Sequence, residues 1–146
     1  MAARKIKTKT IKQKVKFDVS PNDVFDALMD SRKHSQFTES SARISRQVGG
    51  RISVYDGYIE GTNLEIVPDK KIVQKWRASD WPKGHFSVAK FELKKKGRGS
   101  ELMFTQESVP VEQYKAISDG WHEHYWNKMK EFFKKKRGRL ISKSLR

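Results

Sequence analysis

The feature that most constrains the fold is a stripe of large apolar side chains near the C-terminal end of the chain. Within residues 111 to 136 they recur at intervals of three or four, as Tyr114, Ile117, Trp121, Tyr125, Met129 and Phe132. At about 100° per residue, this spacing keeps them on one face of a helix. At about 1.5 Å per residue the helix would be about 39 Å long, which exceeds what a small domain needs for a connection. It must therefore lie along a large apolar surface.

Residues 44 to 108 can supply this surface, because apolar and polar side chains alternate there with a period of two. Turn signals divide the segment into short strands at Gly49-Gly50, Asp56-Gly57, Pro68-Asp69, Trp81-Pro82-Lys83-Gly84 and Lys96-Gly97-Arg98-Gly99. Strands joined by short turns at this density predict an antiparallel meander. Gly61, inside one strand, is predicted to mark a bulge.

The segment before the meander contains one strand and at least one short helix. Residues 11 to 19 alternate as a half-buried strand. Ser20 and Pro21 then provide an N-cap and a first helical residue for a helix that ends near Asp30. Residues 31 to 42, polar except for Phe37, indicate a second short helix or a loop.

This order of elements predicts an α+β helix-grip fold, which resembles the START-like (SRPBCC) superfamily. A strongly curved antiparallel sheet of about six or seven strands wraps around the long C-terminal helix, with two short helices after the first strand. We expect a basic N-terminal extension at residues 1 to 10 and a single domain at residues 11 to 136. Residues 137 to 146 are expected to form a basic, disordered tail.

The formal net charge of +15 is concentrated at the two ends of the chain. Residues 1 to 16 and 134 to 146 contain many lysines and arginines and no acid, while all 17 acids lie between them. The tails could contact polyanions nonspecifically, and the C-terminal one could direct nuclear entry. We nevertheless expect the function to reside in the nearly neutral centre. With no cysteine and no membrane-spanning apolar stretch, we expect a soluble, cytoplasmic protein without membrane insertion.

Catalytic and metal-binding constellations are not evident in the sequence. His122 and His124 are two positions apart, which places them about 200° apart on a helix, too far to share one ion. For these two histidines, as for His34 and His85, surface or core-edge positions are expected. Neither Ser87 nor Ser118 lies in the strained strand-to-helix turn of a nucleophilic serine. We therefore expect no enzyme activity, no cofactor and no metal.

Four segments in order resemble the C-terminal domain of the family of activators of the ninety-kilodalton heat shock protein's ATPase, and the similarity extends over about residues 11 to 133. They are Val48-Gly49-Gly50-Arg51-Ile52 with Asp56-Gly57 and Gly61, the run Val67 to Arg77, Trp81-Pro82-Lys83-Gly84-His85-Phe86-Ser87, and Gly120-Trp121 with Tyr125 and Lys130. The resemblance implies a noncatalytic co-chaperone that docks on this chaperone. The chain is too short to hold the family's N-terminal domain as well, so ATPase activation is a weaker expectation than the fold.

Within these motifs, Trp and Arg side chains are the residue types enriched at binding hot spots. If Ile72, Gln74 and Trp76 face inward, Arg77 faces outward, and Trp76 is expected in the core. Trp81 is expected either to cap the end of the barrel or to meet the partner. The predicted partner-binding residues of this monomeric module are Arg77, Trp81, Lys83, His85, Lys128 and Lys130.

The alternative is a START-like carrier that holds a hydrophobic small molecule between the sheet and the C-terminal helix. Its cavity would be lined by Phe25, Phe37, Trp76, Phe91, Phe104, Trp121, Tyr125 and Met129. The same phenylalanines could instead fill that space. Nonspecific nucleic-acid binding through the tails is a weaker hypothesis. An enzyme of the polyketide-cyclase kind is the least favoured, since no acid and base pair is recognisable.

Overall fold

A computed structural model describes residues 6 to 144, with side chains described as far as residue 135. Its strands are β1 (Thr8–Phe17), β2 (Arg43–Ile44), β3 (Arg51–Val54), β4 (Ile59–Val67), β5 (Lys71–Ala78), β6 (Ser87–Lys96) and β7 (Gly99–Pro110). The helices are α1 (Pro21–Met29), α2 (Ser31–Thr38), α3 (Tyr114–Trp121) and α4 (Asn127–Ser144). A π-helical turn, His122–Trp126, joins α3 to α4.

The seven strands form one antiparallel sheet in the order β1-β7-β6-β5-β4-β3-β2. Pairing of β1 with β7 brings the start of the chain beside the strand that precedes the C-terminal helices. The predicted helix-grip fold, with two short helices after the first strand, is confirmed. The first strand begins at Thr8, earlier than the predicted start at residue 11.

The two short helices begin where side-chain caps satisfy free backbone N–H groups. The Ser20 hydroxyl accepts a hydrogen bond from the Asp23 N–H at 3.3 Å, with Pro21 as the first helical residue. Asp30 ends the first helix with its backbone N–H, which donates to the Asp26 carbonyl at 2.8 Å, and begins the second with its carboxylate, which accepts from the Lys33 N–H at 2.9 Å. The helices therefore follow one another directly and cover one end of the sheet.

Gly61 allows close approach between backbones rather than marking the bulge. It pairs with Ile52 and Trp76, and a side chain at this position would collide with the Lys75 carbonyl. The register shift between β4 and β5 lies between Asn63 and Glu65. The prediction of a bulge at Gly61 is thus wrong in its position.

The C-terminal helix is interrupted where the sequence predicted a continuous one. A π turn contains one more residue than an α turn, so it rotates everything after it relative to the predicted stripe. Trp121, Tyr125 and Met129 are buried as predicted, but Trp126 joins them, exposed by only 1%. After the turn Phe133 is buried, whereas Phe132 is only partly buried.

The end of α4 overlaps the predicted tail. The helix extends to Ser144, beyond its predicted end at residue 136. The side chains of the predicted tail, residues 137 to 146, lie outside the described residues, as do residues 1 to 5 of the predicted N-terminal extension. Among the helices of residues 6 to 144, none combines the length and apolarity needed to cross a bilayer.

Candidate functional site

The interior between the sheet and the C-terminal helix is filled by aromatic rings. The Trp121 ring lies 5.6 Å from Trp76, 4.5 Å from Tyr125 and 5.3 Å from Trp126, centroid to centroid. Phe91 and Phe104 pack against the same indole. Burial of such large apolar areas is the main contribution to the stability of this half of the domain.

A void within this interior measures about 10 Å³, which is room for at most a single water molecule. Trp76, Phe91, Trp121 and Tyr125 line it, together with Leu28, His34, Ile44, Ile52, Val54, Ile72 and Gln74. The other predicted cavity residues, Phe25, Phe37, Phe104 and Met129, are buried but do not line it. The predicted ligand cavity is therefore filled by the protein's own side chains.

A chain of hydrogen bonds fixes the central indole against the sheet. The Trp121 Nε1–H donates to Gln106 Oε1 at 2.8 Å, and Gln106 Nε2 donates to Ser87 Oγ at 2.9 Å. The Ser87 hydroxyl donates in turn to the Trp76 carbonyl at 2.7 Å. All of these side chains are buried, so their pairing avoids the cost of unsatisfied polar groups. Ser87 thus has a structural role.

His34 occupies the core rather than the surface or core edge that the sequence analysis expected. It is 4% exposed, with Nδ1 3.2 Å from the Leu28 carbonyl and Nε2 3.0 Å from the Tyr125 hydroxyl. Desolvation lowers the pKa of His34 to about 4, against the opposing effect of the Leu28 hydrogen bond. A neutral ring can donate through Nδ1 and accept from Tyr125 through Nε2, so both nitrogens are occupied.

The other three histidines are peripheral. His122 and His124 are exposed on the π turn, and His85, partly exposed, lies with Nε2 2.8 Å from the Ser108 carbonyl. Within the described part of the chain, no cluster of three or more His, Asp or Glu side chains has the spacing to hold a metal ion.

The loop between β5 and β6, residues 79 to 86, contains three of the predicted partner-binding residues, Trp81, Lys83 and His85, and a fourth, Arg77 at the end of β5, contacts it. The Arg77 guanidinium donates to the carbonyls of Trp81 at 2.9 Å and His85 at 3.3 Å, and lies 3.4 Å from Glu60. These hydrogen bonds hold the loop together, and the Arg77 side chain is only 13% exposed. Trp81 is buried, its ring 5.4 Å from Trp76. Lys83 is left exposed on the loop.

The two predicted lysines of the C-terminal helix lie elsewhere. Lys128 is half-buried and lines an open cleft of about 700 Å³ between α2 and α4, together with Phe37 and Phe132. Lys130 is exposed on α4 and does not line this cleft. The structure therefore does not gather the six predicted residues into one site.

The convex face of the sheet is predominantly basic. The alternation of side chains along β1 directs Lys12, Lys14 and Lys16 outward. Across the neighbouring strands β7, β6 and β5, Lys14 lies in the same row as Met103, Glu92 and Lys71. Glu101 on this face accepts from Lys96 at 3.0 Å and lies 3.3 Å from the Lys94 ammonium, and these contacts lower its pKa. The outward basic side chains of β1, β6 and β5 are Lys12, Lys14, Lys16, Lys90, Lys94, Lys96, Lys71, Lys75 and Arg77.

An open groove of about 490 Å³ lies on the outer side of the central aromatic cluster, and three of the predicted cavity residues, Trp76, Trp121 and Tyr125, line it. We call it the aromatic groove. One wall is the β3–β4 turn, the other is α3 with the π turn, and Trp76 and Trp121 form part of its floor. The lining residues are Ser40, Tyr55, Asp56, Tyr58, Ile59, Trp76, Gln113, Ala116, Ile117, Gly120, Trp121, Glu123, His124 and Tyr125.

Hydrogen bonds from two tyrosines of the turn hold the walls of this groove. The connection between β3 and β4 is a four-residue loop, residues 55 to 58, in which Tyr55, Asp56 and Gly57 have positive φ angles of 52°, 55° and 89°. The Tyr55 hydroxyl donates to the His124 carbonyl at 2.8 Å, which ties the turn to the π helix. Tyr58 donates to Asp80 at 2.8 Å, which ties it to the β5–β6 loop. The tyrosines flanking Asp56-Gly57 were the available sequence signal for the groove.

Comparison with known proteins links this architecture to one family. The family model described as "Activator of Hsp90 ATPase homolog 1-like protein" matches residues 18–134. An activator of 90 kDa heat shock protein ATPase homolog from Dictyostelium discoideum is 31% identical over 131 residues, which is 89% of this chain and 34% of that protein. Human activator homolog 1 is 30% identical over 129 residues, 88% of this chain and 38% of that protein.

A solved structure supports the same fold. A structure described as an HSP90 activator from Plasmodium falciparum superposes with a TM-score of 0.81 at 23% identity, covering 85% of this chain and 95% of that one. By contrast, the chain spans only 34% and 38% of the length of the two curated relatives named above.

Proposed function

The chain belongs to the Activator of Hsp90 ATPase homolog 1-like family, and on this basis we propose that it is a noncatalytic, co-chaperone-like module that docks on a ninety-kilodalton heat shock protein and raises its ATPase rate. The observation that carries the proposal is the family match over residues 18–134, which includes nearly the whole described domain. Relatives from two distant organisms bear names of activators of this ATPase.

The chemistry of the interior supports a binding module over an enzyme or a carrier. Buried His34, Gln106 and Ser87 each form hydrogen bonds to other protein groups within the core. The void of about 10 Å³ leaves no room there for a substrate or a hydrophobic cargo. Function must then depend on the outer surfaces of the domain.

We assign the chaperone-docking role to the convex face of the sheet together with the β5–β6 loop. The face presents several lysine side chains to solvent. At its edge, Lys75 and Arg77 extend this basic surface toward the β5–β6 loop, on which Lys83 is exposed. The Phe86 ring lies 4.5 Å from the Lys75 ammonium and adds an apolar group to this edge. Such a surface complements an acidic one and accelerates association more than it strengthens a formed complex.

Three of the predicted partner-binding residues, Trp81, Lys128 and Lys130, are not exposed on this surface, and we propose other roles for them. Trp81 would support the loop from beneath, since it is buried against Trp76. Lys128 and Lys130 on α4 would form a second contact region. A monomeric, cytoplasmic co-chaperone active in the stress response is the setting we propose. Nonspecific polyanion contact and nuclear entry through the tail remain predictions about side chains outside the described residues.

The decisive experiment measures the ATPase rate of the purified ninety-kilodalton heat shock protein from the same organism, with and without this chain, and the binding affinity by calorimetry. We expect binding at micromolar concentrations or tighter. The triple variant Lys12→Glu, Lys14→Glu, Lys90→Glu should weaken binding at least tenfold, because it reverses the charge of neighbouring outward positions. Raising the salt from 50 to 300 mM should weaken the unmodified chain as well.

The matched control is Lys115→Glu on α3, an exposed lysine away from the convex face. It should leave binding within about twofold of the unmodified chain. Absence of binding at high micromolar concentrations would refute the proposed partner. Binding that is unchanged in the triple variant would refute the docking face while leaving the partner in place.

A further inference from the structure

The aromatic groove has the opposite charge character to the rest of the chain. Its lining contains the carboxylates of Asp56 and Glu123 and no lysine or arginine. A third carboxylate, Asp80, is held at its border by the Tyr58 hydroxyl at 2.8 Å. In a chain with 32 basic and 17 acidic residues, a surface of this composition stands apart from its surroundings.

Gly120 provides independent evidence that the groove is kept open. A glycine inside a helix costs about 1 kcal/mol relative to alanine, a cost that a packing or functional role would offset. Within the described structure, a methyl group added at Gly120 would meet only His124 Cδ2, at an ordinary contact distance of 3.7 Å. Core packing therefore does not require glycine here. Because glycine has no side chain, position 120 leaves open space in the groove.

The remaining walls suit an apolar ligand with a positive charge. Tyr55 and Tyr58 offer aromatic faces that can contact both hydrocarbon and cations, whereas the floor tryptophans are only 3–4% exposed and contribute an apolar base. Asp56 and Glu123 stand on opposite walls, the first on the β3–β4 turn and the second on the π turn. Ser40 and Gln113 add a hydroxyl and an amide that can pair with a peptide backbone.

We propose that the aromatic groove binds a short segment of another protein in which lysine or arginine alternates with apolar side chains. The volume of about 490 Å³ falls in the range of ligand-binding pockets, about 300–1,000 Å³. This site goes beyond the proposed chaperone docking, because the docking face is basic and requires an acidic partner. Two surfaces of opposite charge allow the domain to hold two different segments at once.

The test uses a fluorescently labelled hexapeptide with blocked ends that alternates lysine and leucine, titrated with the full chain and followed by anisotropy. We expect saturable binding at micromolar concentrations. Gly120→Leu should weaken it at least tenfold by filling the groove, and Ala116→Leu on the same wall should act in the same direction. The double variant Asp56→Asn, Glu123→Gln should also weaken it about tenfold. Asparagine at position 56 tolerates the positive φ and keeps the oxygen that accepts from the Ser41 N–H.

Several controls make the result specific. Gly120→Ala should keep binding within about twofold, and circular dichroism with thermal melts should show that every variant is folded. Hexapeptides in which glutamate replaces lysine, or serine replaces leucine, should bind at least tenfold more weakly. Octylamine should bind more weakly than the lysine–leucine peptide, because it cannot bridge both carboxylate walls. The triple variant of the convex face should bind the peptide normally, which separates this site from chaperone docking.

Two outcomes would overturn the proposal. One is binding of the lysine–leucine peptide that Gly120→Leu and the double variant leave unchanged. The other is octylamine binding as tight as the peptide, which would assign the groove to small amines. Failure of either kind leaves chaperone binding through the convex face as a separate question, since that experiment uses other residues and another readout.

Discussion

Three aromatic side chains, Trp76, Trp121 and Tyr125, form the boundary between two regions that differ in almost every property. On their inner side the space between sheet and helix is closed to about 10 Å³, and on their outer side the aromatic groove holds about 490 Å³. The inner side includes His34, whose ring is fully paired. The outer side includes exposed carboxylates and a helix glycine. The same rings therefore serve as core packing on one side and as a binding surface on the other.

This contrast shows where a helix-grip fold can place its binding capacity once its interior is filled. The π turn puts both Tyr125 and Trp126 inside, and those rings occupy the volume that a ligand would need. The same turn exposes Glu123 and His124 at the groove. One local irregularity thus closes the interior and shapes the outer surface, so the two regions should respond differently to the same kind of substitution.

Removing a large side chain from the closed interior should have the largest effect on the free energy of unfolding. Trp126→Ala removes a side chain that is 1% exposed and leaves Gln13 Oε1 without the 2.6 Å hydrogen bond from the indole. We expect the free energy of unfolding to fall by about 3–5 kcal/mol, the usual cost of a buried aromatic-to-alanine change. Urea denaturation measures it, and a shift of the midpoint without a change of slope would localise the effect to the folded state.

Phe132→Ala is the matched control for this experiment. Phe132 is the position that a regular helix would bury, yet the π turn leaves it partly exposed. Its loss should cost less than about 2 kcal/mol. If both variants lose the same amount of unfolding free energy, the π turn does not rotate the buried face of the helix from Phe132 as described above.

The sheet could be predicted from the sequence because a period of two admits few alternatives. In β5 the predicted alternation is confirmed, with Ile72, Gln74 and Trp76 buried and Lys75 exposed. A turn at Asp56-Gly57 is also confirmed, although it is a four-residue loop in which Tyr55 has a positive φ angle as well. Each of these features depends on neighbours within a few positions along the chain.

The π turn and the groove could not be predicted in the same way, because both depend on contacts between distant segments. The residues His122–Trp126 carry no local signal for an extra residue in the turn, and the apolar stripe predicted from a regular helical period did not include Trp126. The groove forms only when the β3–β4 turn meets α3, and the Tyr55 to His124 contact joins positions 69 residues apart. The buried position of His34 likewise depends on Tyr125, which lies 91 residues away.

Lowering the pH should reduce the free energy of unfolding by an intermediate amount, because His34 is buried in the closed interior. The pKa of His34 is lowered to about 4 from an ordinary value of 6.5, so the unfolded chain takes up the proton first as the pH falls. The stability from the neutral ring is fully present above the unfolded value and is lost between about 6.5 and 4. Between pH 7.5 and 5 we expect a loss of about 2 kcal/mol from this residue.

Urea denaturation of the unmodified chain and of His34→Gln at both pH values isolates this contribution. Glutamine keeps a donor and an acceptor in the core but does not titrate in this range. The difference in stability between the two proteins should therefore be larger at pH 7.5 than at pH 5. A difference that does not change with pH would mean that His34 keeps its ordinary pKa in the folded protein.

The last comparison, which contains the smallest expected change at Gly120, has opposite signs on the two sides because a small apolar group is added to each. Gly120→Ala, on the groove side, should raise the free energy of unfolding by about 0.5–1 kcal/mol, because alanine favours the helix and the added methyl finds only the 3.7 Å contact with His124. Ala27→Val, in helix α1 at a site with 0% exposure, should lower it by about 1–3 kcal/mol, since the added methyl groups enter a packed core. Thermal melts of both variants, with Ala116→Ser on the exposed groove wall as a near-neutral reference, decide the matter. If Gly120→Ala also destabilises the protein, then Gly120 is required by packing, and the groove loses the argument that its open space is independent of the core.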